Sequence, residues 1–572
     1  MKIEELYALQ LKERDSLTQG IINSSETKIM IVSGPGTGKT YLFNEIIKKR
    51  SGGKYLVITF IRKLIAEIDK KVQIENTCKT FHEFAKGVLH SQKGPFELQP
   101  FLSDVIQKDA VALGLDFNNF DAKFQELDEY SPEIPFYLKR GDFYQTVSFN
   151  DSVYRIYKLA QKNEEILPQF NQIIVDEYQD FNKLETEFIK ILEKRGPILI
   201  AGDDDQALYD GRSASSKFIK ELYKSGKYKQ FAPKYCSRCT SAIVESVNAF
   251  IKQVQKNGYF ADRIPKAYEC YLPDKDLDNK KFPIIDYVES STVKVAAKYI
   301  QSQIKNIDGQ DIKDSYNEGT EYPTVLIIGP LHYLKIINEE LSKYNKNINF
   351  SPSEPILLSI IDAYRILKTD EFSNLGWRII AEFILDAESI TEIVSETENN
   401  VRVIDLLPAA TVKHHQSILE LINLISNEDS FKVVYLTQLK KLSPSNFEEI
   451  VATFRYKEEK QVEIIDKKEP SILLTSYKGA KGLSGGHVFL LGVHNKSLPK
   501  NKDQISDIEI SQFLVAITRT RKKLYMVNNR WYKNPMTKDR KFMDPNERSI
   551  FIDWLPNDLI NNLGYLKSED IS

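Results

Sequence analysis

A chain of 572 residues is too long for a single compact core, because domains run at roughly 150 residues each, and it predicts about three or four of them. Apolar residues make up 42% and charged residues 28%, a balance that excludes wholesale disorder. Lys plus Arg number 78 against 80 Asp plus Glu, so global charge attracts no polyanion, and any affinity for nucleic acid must come from a local basic groove.

No apolar run is long enough to cross a bilayer, and the first twenty residues are polar and charged rather than signal-like, so the chain reads as cytoplasmic. Four cysteines, at 78, 236, 239 and 270, are too few for a disulfide framework and are expected to be reduced. Cys236-Ser-Arg-Cys239 has metal-like spacing, but no second Cys/His pair lies close by. Small core residues are the preferred reading there, ahead of zinc.

The apolar run Lys28–Val32 leads into Ser33-Gly34-Pro35-Gly36-Thr37-Gly38-Lys39-Thr40, followed by a helix-compatible stretch from Tyr41 to Arg50. Strand, phosphate loop and helix in that order predict a nucleotide site. Gly34, Gly36, Thr37 and Gly38 let backbone N–H groups turn inward on a phosphate chain, Lys39 reaches the β- and γ-phosphates, and the Thr40 hydroxyl is a magnesium ligand. Ser33 stands where the simple motif has Gly, a small-for-small change. The loop alone establishes nucleotide binding and not the use to which the energy is put.

A second apolar run, Ile173-Ile174-Val175, ends in Asp176-Glu177-Tyr178-Gln179-Asp180. Acids at the carboxyl end of a parallel strand border the ligand crevice, where Asp176 can hold magnesium and Glu177 can polarise the attacking water. Adjacent acids after a strand are also common surface punctuation, so the pair alone leaves both readings open. Pro197–Ala201 is a third such strand, and it runs into Gly202-Asp203-Asp204-Asp205-Gln206-Ala207-Leu208-Tyr209, in which Gln206 is suited to sense a γ-phosphate.

The phosphate loop, Asp-Glu-Tyr-Gln-Asp and Gly-Asp-Asp-Asp-Gln occur in the order found in the UvrD/Rep/PcrA family of superfamily 1 helicases, which this chain resembles from about Gln19 to Leu524. Further segments fit that resemblance. Thr59-Phe60-Ile61-Arg62-Lys63 and Thr80-Phe81-His82 look like the family's single-strand contact motifs, which would put Thr59, Phe60, Arg62 and His82 along a DNA channel. Arg238-Cys239-Thr240-Ser241 and Val515-Ala516-Ile517-Thr518-Arg519 resemble the motifs that bring arginines to the γ-phosphate from the second motor domain. Ala480-Lys481-Gly482-Leu483 resembles the motif that couples nucleotide to DNA, with Gly482 at the nucleotide and Ser476 and Lys478 on the strand side. Tyr209 and Arg212 would also meet DNA. The resemblance implies an α/β fold of two RecA-like P-loop domains, parallel sheets flanked by helices, with two mainly helical insertions. It implies ATP and Mg2+ at one interface, catalysis by Lys39, Asp176, Glu177, Gln206, Arg238 and Arg519, and 3′-to-5′ movement on single-stranded DNA or a junction.

The chain also departs from the family. The arginine and tyrosine that usually sandwich adenine are Tyr41 and Ser237 here, so we expect the aromatic face to have changed sides, with Tyr41 or nearby Tyr235 stacking on the base. Gln19 sits where the adenine-reading glutamine would, with Gln10 as a rival. After Tyr209 the family's base-stacking aromatic is replaced by Asp210-Gly211-Arg212, and base stacking is worth roughly 1–3 kcal/mol, so weak strand separation without a partner is expected. Gly482-Leu483-Ser484-Gly485-Gly486 lacks the family's glutamate.

The boundaries read from the sequence are 1–90 with 165–231 for the first lobe and 91–164 for its insertion. The second lobe takes 232–372 with 469–560, its insertion 373–468, and the tail 561–572. No nuclease constellation follows Leu524, so no intrinsic DNA cleavage is expected. A competing reading from another class is a DNA-sensing ATPase subunit that licenses a partner nuclease, as in anti-phage defence. Whether the pathway is repair or defence, and whether the strand is DNA or RNA, stays open at this level.

Overall fold

The computed structural model describes residues 3–49, 53–59, 78–94, 96–208, 215–317, 322–351, 358–427, 433–455, 469–531 and 546–570. They gather into two compact units, one built from 1–81, 167–354 and 466–572, the other from 82–166 and 355–465.

The first unit holds two parallel sheets. Helix α1 (Ile3–Ile22) precedes strand β1 (Lys28–Val32), helix α2 (Lys39–Lys49) and the strands β2 (Tyr55–Ile58), β3 (Cys78–Lys79), β4 (Gln172–Val175), β5 (Ile198–Gly202) and β6 (Lys229–Phe231). Their order across the sheet is β3-β2-β4-β5-β1-β6, every neighbouring pair parallel. β2, β4 and β5 are buried along their whole length, which is why they read as unbroken apolar runs rather than alternating ones.

The second sheet follows helix α3 (Ser241–Lys256). It uses β7 (Ile285–Ser290), β8 (Val325–Ile328), β9 (Ile348–Phe350), β10 (Ile472–Thr475), β11 (Gly485–Leu491), β12 (Thr520–Asn529) and β13 (Ile560–Leu566), with helix α4 (Asp507–Ile517) between β11 and β12. The order is β9-β10-β8-β11-β12-β7-β13, again parallel throughout. These are two RecA-like lobes. Residues 561–566, expected as tail, are instead the edge strand of the second sheet, and Ile560 pairs with Ile285. The stretch is mostly exposed and interrupted by Asn561, Asn562 and Gly564, so only its strand partner reveals it.

The second unit is mainly helical and joins both insertions in one body. It starts earlier on the second side than the expected Ser373, because the helix Ile360–Thr369 packs on Asn374–Ile384. Gly376 permits that approach: a Cβ there would lie 2.6 Å from Leu367 Cγ. At its centre Asp109 is fully buried, and its Oδ2 accepts hydrogen bonds from Arg140 Nη2 at 2.6 Å and the Tyr144 hydroxyl at 2.7 Å. Its Oδ1 accepts from Arg378 Nε at 2.9 Å, so one carboxylate links residues from both insertions. Among the described residues no helix is long and apolar enough to cross a membrane.

Candidate active site

The phosphate loop leaves β1 and turns into α2. Gly36 and Gly38 have φ of +72° and +88°, conformations that favour glycine and turn successive N–H groups to one side. Thr37 donates its hydroxyl to Gly34 O at 2.9 Å, so it braces the loop. Lys39 Nζ donates to Ser33 O at 3.1 Å and Gly34 O at 3.2 Å. These carbonyls stand in for the phosphate oxygens a bound nucleotide would present. Thr40 follows, half-buried at the start of α2.

β4 delivers the acids. Asp176 is buried, and burial together with the neighbouring Glu177 charge raises its carboxyl above the ordinary range, with Lys39 opposing. Glu177 sits in the left-handed region at φ +56°, a backbone strain that a non-glycine residue bears only where its surroundings enforce it. Burial pushes the Glu177 carboxyl up, but Lys481 and Lys39 outweigh it and hold the group below its usual value. Gln179 ties this segment to the next strand: its Nε2 donates to Glu177 at 2.5 Å and its Oε1 accepts from Asp203 N at 2.9 Å. Gln206 in turn donates to Asp203 Oδ2 at 2.6 Å.

The second lobe meets this surface directly. Arg519 is buried, and its Nη2 donates to Gln206 Oε1 at 2.7 Å while its Nε donates to Val515 O at 2.9 Å. Burial, with Arg238 alongside, lowers its pKa to about 10, which still leaves it cationic at neutral pH. The turn that carries Arg238 rests on the loop apex: Ser237 N donates to Gly36 O at 3.0 Å, and a Cβ on Gly36 would lie 2.5 Å from Arg238 Cβ. Tyr268 packs its ring on Gly34 and donates its hydroxyl to Pro35 O at 3.0 Å. Cys236 and Cys239 are buried members of the apolar core beneath this turn.

Three participants were not singled out from the sequence. Lys481 Nζ forms an ion pair with Asp180, lies 3.7 Å from Glu177 and donates to Gln206 O at 3.2 Å. It stood inside a recognised motif, but only the fold brings it to the acids. Lys266 Nζ lies 2.9, 2.5 and 3.0 Å from Asp203, Asp204 and Asp205, and Arg263 pairs with Asp205 at 2.8 Å. The run of three acids was the available signal, since buried carboxylates require counter-charges. The three carboxylates are close enough together to suggest a metal, but Lys266 already pairs with all three and Arg263 with Asp205.

Beside the loop lies a cavity of about 260 Å³, walled by Arg14 and Thr18 of α1, by Gly38 and Tyr41, and by Lys234 and Tyr235 from the start of the second lobe. Tyr41 is 55% exposed, whereas Tyr235 is buried and donates its hydroxyl to Glu13 at 2.5 Å. Both tyrosines expected at the base therefore border one space. The glutamines do not. Gln19 is exposed and is not part of the wall, because the cavity side of α1 carries Arg14, Leu17, Thr18 and Ile21, and Gln19 is turned away by helical geometry. Gln10 is buried, donating to Cys270 O at 3.2 Å and accepting from Leu272 N at 2.9 Å.

The expected strand contacts fare unevenly. Thr59 follows β2 and has no exposed surface. His82 lies with its ring 4.8 Å from that of Phe149. Ser476 accepts from Gly479 N at 3.1 Å in the turn that leads to Lys481, Lys478 is exposed, and Gly482 has φ +77° in the same turn. Phe60, Arg62, Tyr209 and Arg212 lie outside the described residues.

One lobe that supplies loop and acids, faced by another that supplies arginines and a lysine, defines a two-lobe P-loop nucleoside triphosphatase. A family model described as "AAA domain" matches residues 18–212, and one described as "UvrD-like helicase C-terminal domain" matches 377–530. The chain is 23% identical to DNA helicase II of Haemophilus influenzae over 98% of this chain and 89% of that one. It is 22% identical to ATP-dependent DNA helicase PcrA of Bacillus subtilis, covering 96% and 86% respectively. With a probable DNA helicase II homolog of Mycoplasma pneumoniae the identity is 22%, over 87% and 81%. These matches support a UvrD/Rep/PcrA-like helicase.

Proposed function

We propose that this chain is an ATP-hydrolysing DNA helicase that acts as a 3′-to-5′ translocase on single-stranded DNA. The observation that carries the reading is the 2.7 Å hydrogen bond from Arg519 of one lobe to Gln206 of the other, beside Lys39 and Glu177. An arginine fixed across the cleft is available to neutralise the transition state only when the lobes are together, so closure and hydrolysis become one event. If the lobes grip DNA alternately, each turnover becomes a step.

Magnesium suits the donor set. The Thr40 hydroxyl stands at the loop end, Asp176 at the end of β4, and the buried Oδ1 of Asp180 has no hydrogen-bond partner among the described residues. When bound, the ion neutralises charge on the β- and γ-phosphate oxygens. Thr40 and Asp176 would hold it. Lys39 exchanges the Ser33 and Gly34 carbonyls for phosphate, Glu177 orients and deprotonates the attacking water, and Gln206 relays phosphate occupancy to Arg519.

The test is ATPase activity with and without single strands, joined to strand displacement on duplexes with 3′ or 5′ tails. We expect strong stimulation by single strands, weak unwinding with a 3′-tail preference, and a fall of about 10³-fold in kcat for Arg519→Ala. Hydrolysis that ignores single strands, or that survives Lys39→Ala, overturns the reading. A 5′-tail preference overturns the polarity alone.

A further inference from the structure

Among the described residues, the cavity beside the phosphate loop is lined by no side-chain amide able to choose between purines. An amide reads adenine in bidentate fashion, accepting from the 6-amino group and donating to N7. Here the two candidate amides are accounted for: Gln19 faces away, and both ends of Gln10 are spent on the backbone of Cys270 and Leu272. The α1 face that borders the cavity offers Thr18 instead. A hydroxyl rotates and can either donate or accept, so Thr18 serves an adenine amino group and a guanine carbonyl alike. The charged groups on the same wall are engaged elsewhere: Glu13 Oε2 accepts from the Tyr235 hydroxyl at 2.5 Å and lies 3.2 Å from Lys234 Nζ, and Arg14 lies 3.6 Å from Asp274. Tyr41 supplies a stacking face that is indifferent to base identity.

We infer that the base site is purine-tolerant, so that GTP fuels the same hydrolysis as ATP, and that Thr18 is the residue that makes it so. The inference rests on the proposed ATPase reading and goes beyond it in naming the substrate class. A site built around a dedicated hydrogen-bond pair rejects the wrong partner by about 10⁴-fold, whereas this one is expected to hold kcat/KM for GTP within about tenfold of that for ATP.

The experiment uses the full chain with saturating single-stranded DNA and compares kcat/KM for ATP, GTP, CTP and UTP. In parallel, ATP and GTP compete against a fluorescent ATP analogue, which reads affinity without turnover. The expected result is comparable ATP and GTP, with weaker pyrimidine nucleotides. Thr18→Gln should shift the GTP-to-ATP ratio at least about tenfold toward ATP, in both binding and turnover. GTP more than about 10²-fold poorer than ATP in the wild-type chain, or a ratio unmoved by Thr18→Gln, overturns the inference and leaves the ATPase reading intact. ATP hydrolysis that persists in Lys39→Ala instead removes the reading beneath it.

Discussion

Lys481 reaches across from one lobe to the carboxylates of Asp180 and Glu177 in the other. It keeps Glu177 ionised in a buried setting, and an ionised carboxylate is what a water-activating base must be. Removing one partner from a buried ion pair typically costs about 3–5 kcal/mol, because the remaining charges lose their compensation. Lys481→Met should therefore depress kcat by at least about 10²-fold at neutral pH, with Lys481→Arg in between. A kcat left unchanged would mean that Glu177 does not depend on its partner. Lys481 also marks the limit of legibility at this scale. The loop, Asp176, Glu177 and Gln206 could be read because each sits in a contiguous motif whose chemistry needs adjacent residues. Lys266, Tyr268 and Thr18 could not, because their roles come from contacts with residues far away in the chain.

At the scale of elements, three parallel strands were legible because burial on both faces made them continuous apolar runs, namely β1, β4 and β5. β13 was not, since an edge strand with exposed polar residues carries no such run. Nor did the sequence reveal that the two insertions form one body around Asp109. The carboxylate there compensates two buried guanidiniums, Arg140 and Arg378, and Arg140 Nη1 reaches Thr397 Oγ1 at 2.8 Å. Asp109→Asn keeps the shape and removes the charge, so we expect the second unit to lose about 3–5 kcal/mol. Trp377 is the only tryptophan within that unit's span and is fully buried, and its fluorescence in a Trp531→Phe/Trp554→Phe background isolates the transition in a urea titration. An unchanged midpoint would show that the helices hold together without the carboxylate.

Over the whole molecule, each unit keeps a neutral histidine inside. Tyr333 Oη lies 3.0 Å from His494 Nε2 in the first, and Tyr364 Oη lies 2.9 Å from His415 Nδ1 in the second. Burial, aided by Lys496 beside His494 and His414 beside His415, lowers both pKa values to about 4. With folded values below the unfolded one near 6.5, the stabilisation is fully present above about pH 6.5 and is lost as pH falls through 4. A depression of this size corresponds to about 3 kcal/mol per ring. Melting temperature should therefore fall steadily from pH 7 to pH 4.5, and His494→Gln and His415→Gln should each flatten that slope. Parallel curves for variants and wild type would assign the acid sensitivity elsewhere.

Gly36 lies in near-contact with the Cys236–Arg238 turn. There is not room for a methyl group between the two lobes at the loop apex. A side chain at position 36 would therefore have to push the Cys236–Arg238 turn away from the loop.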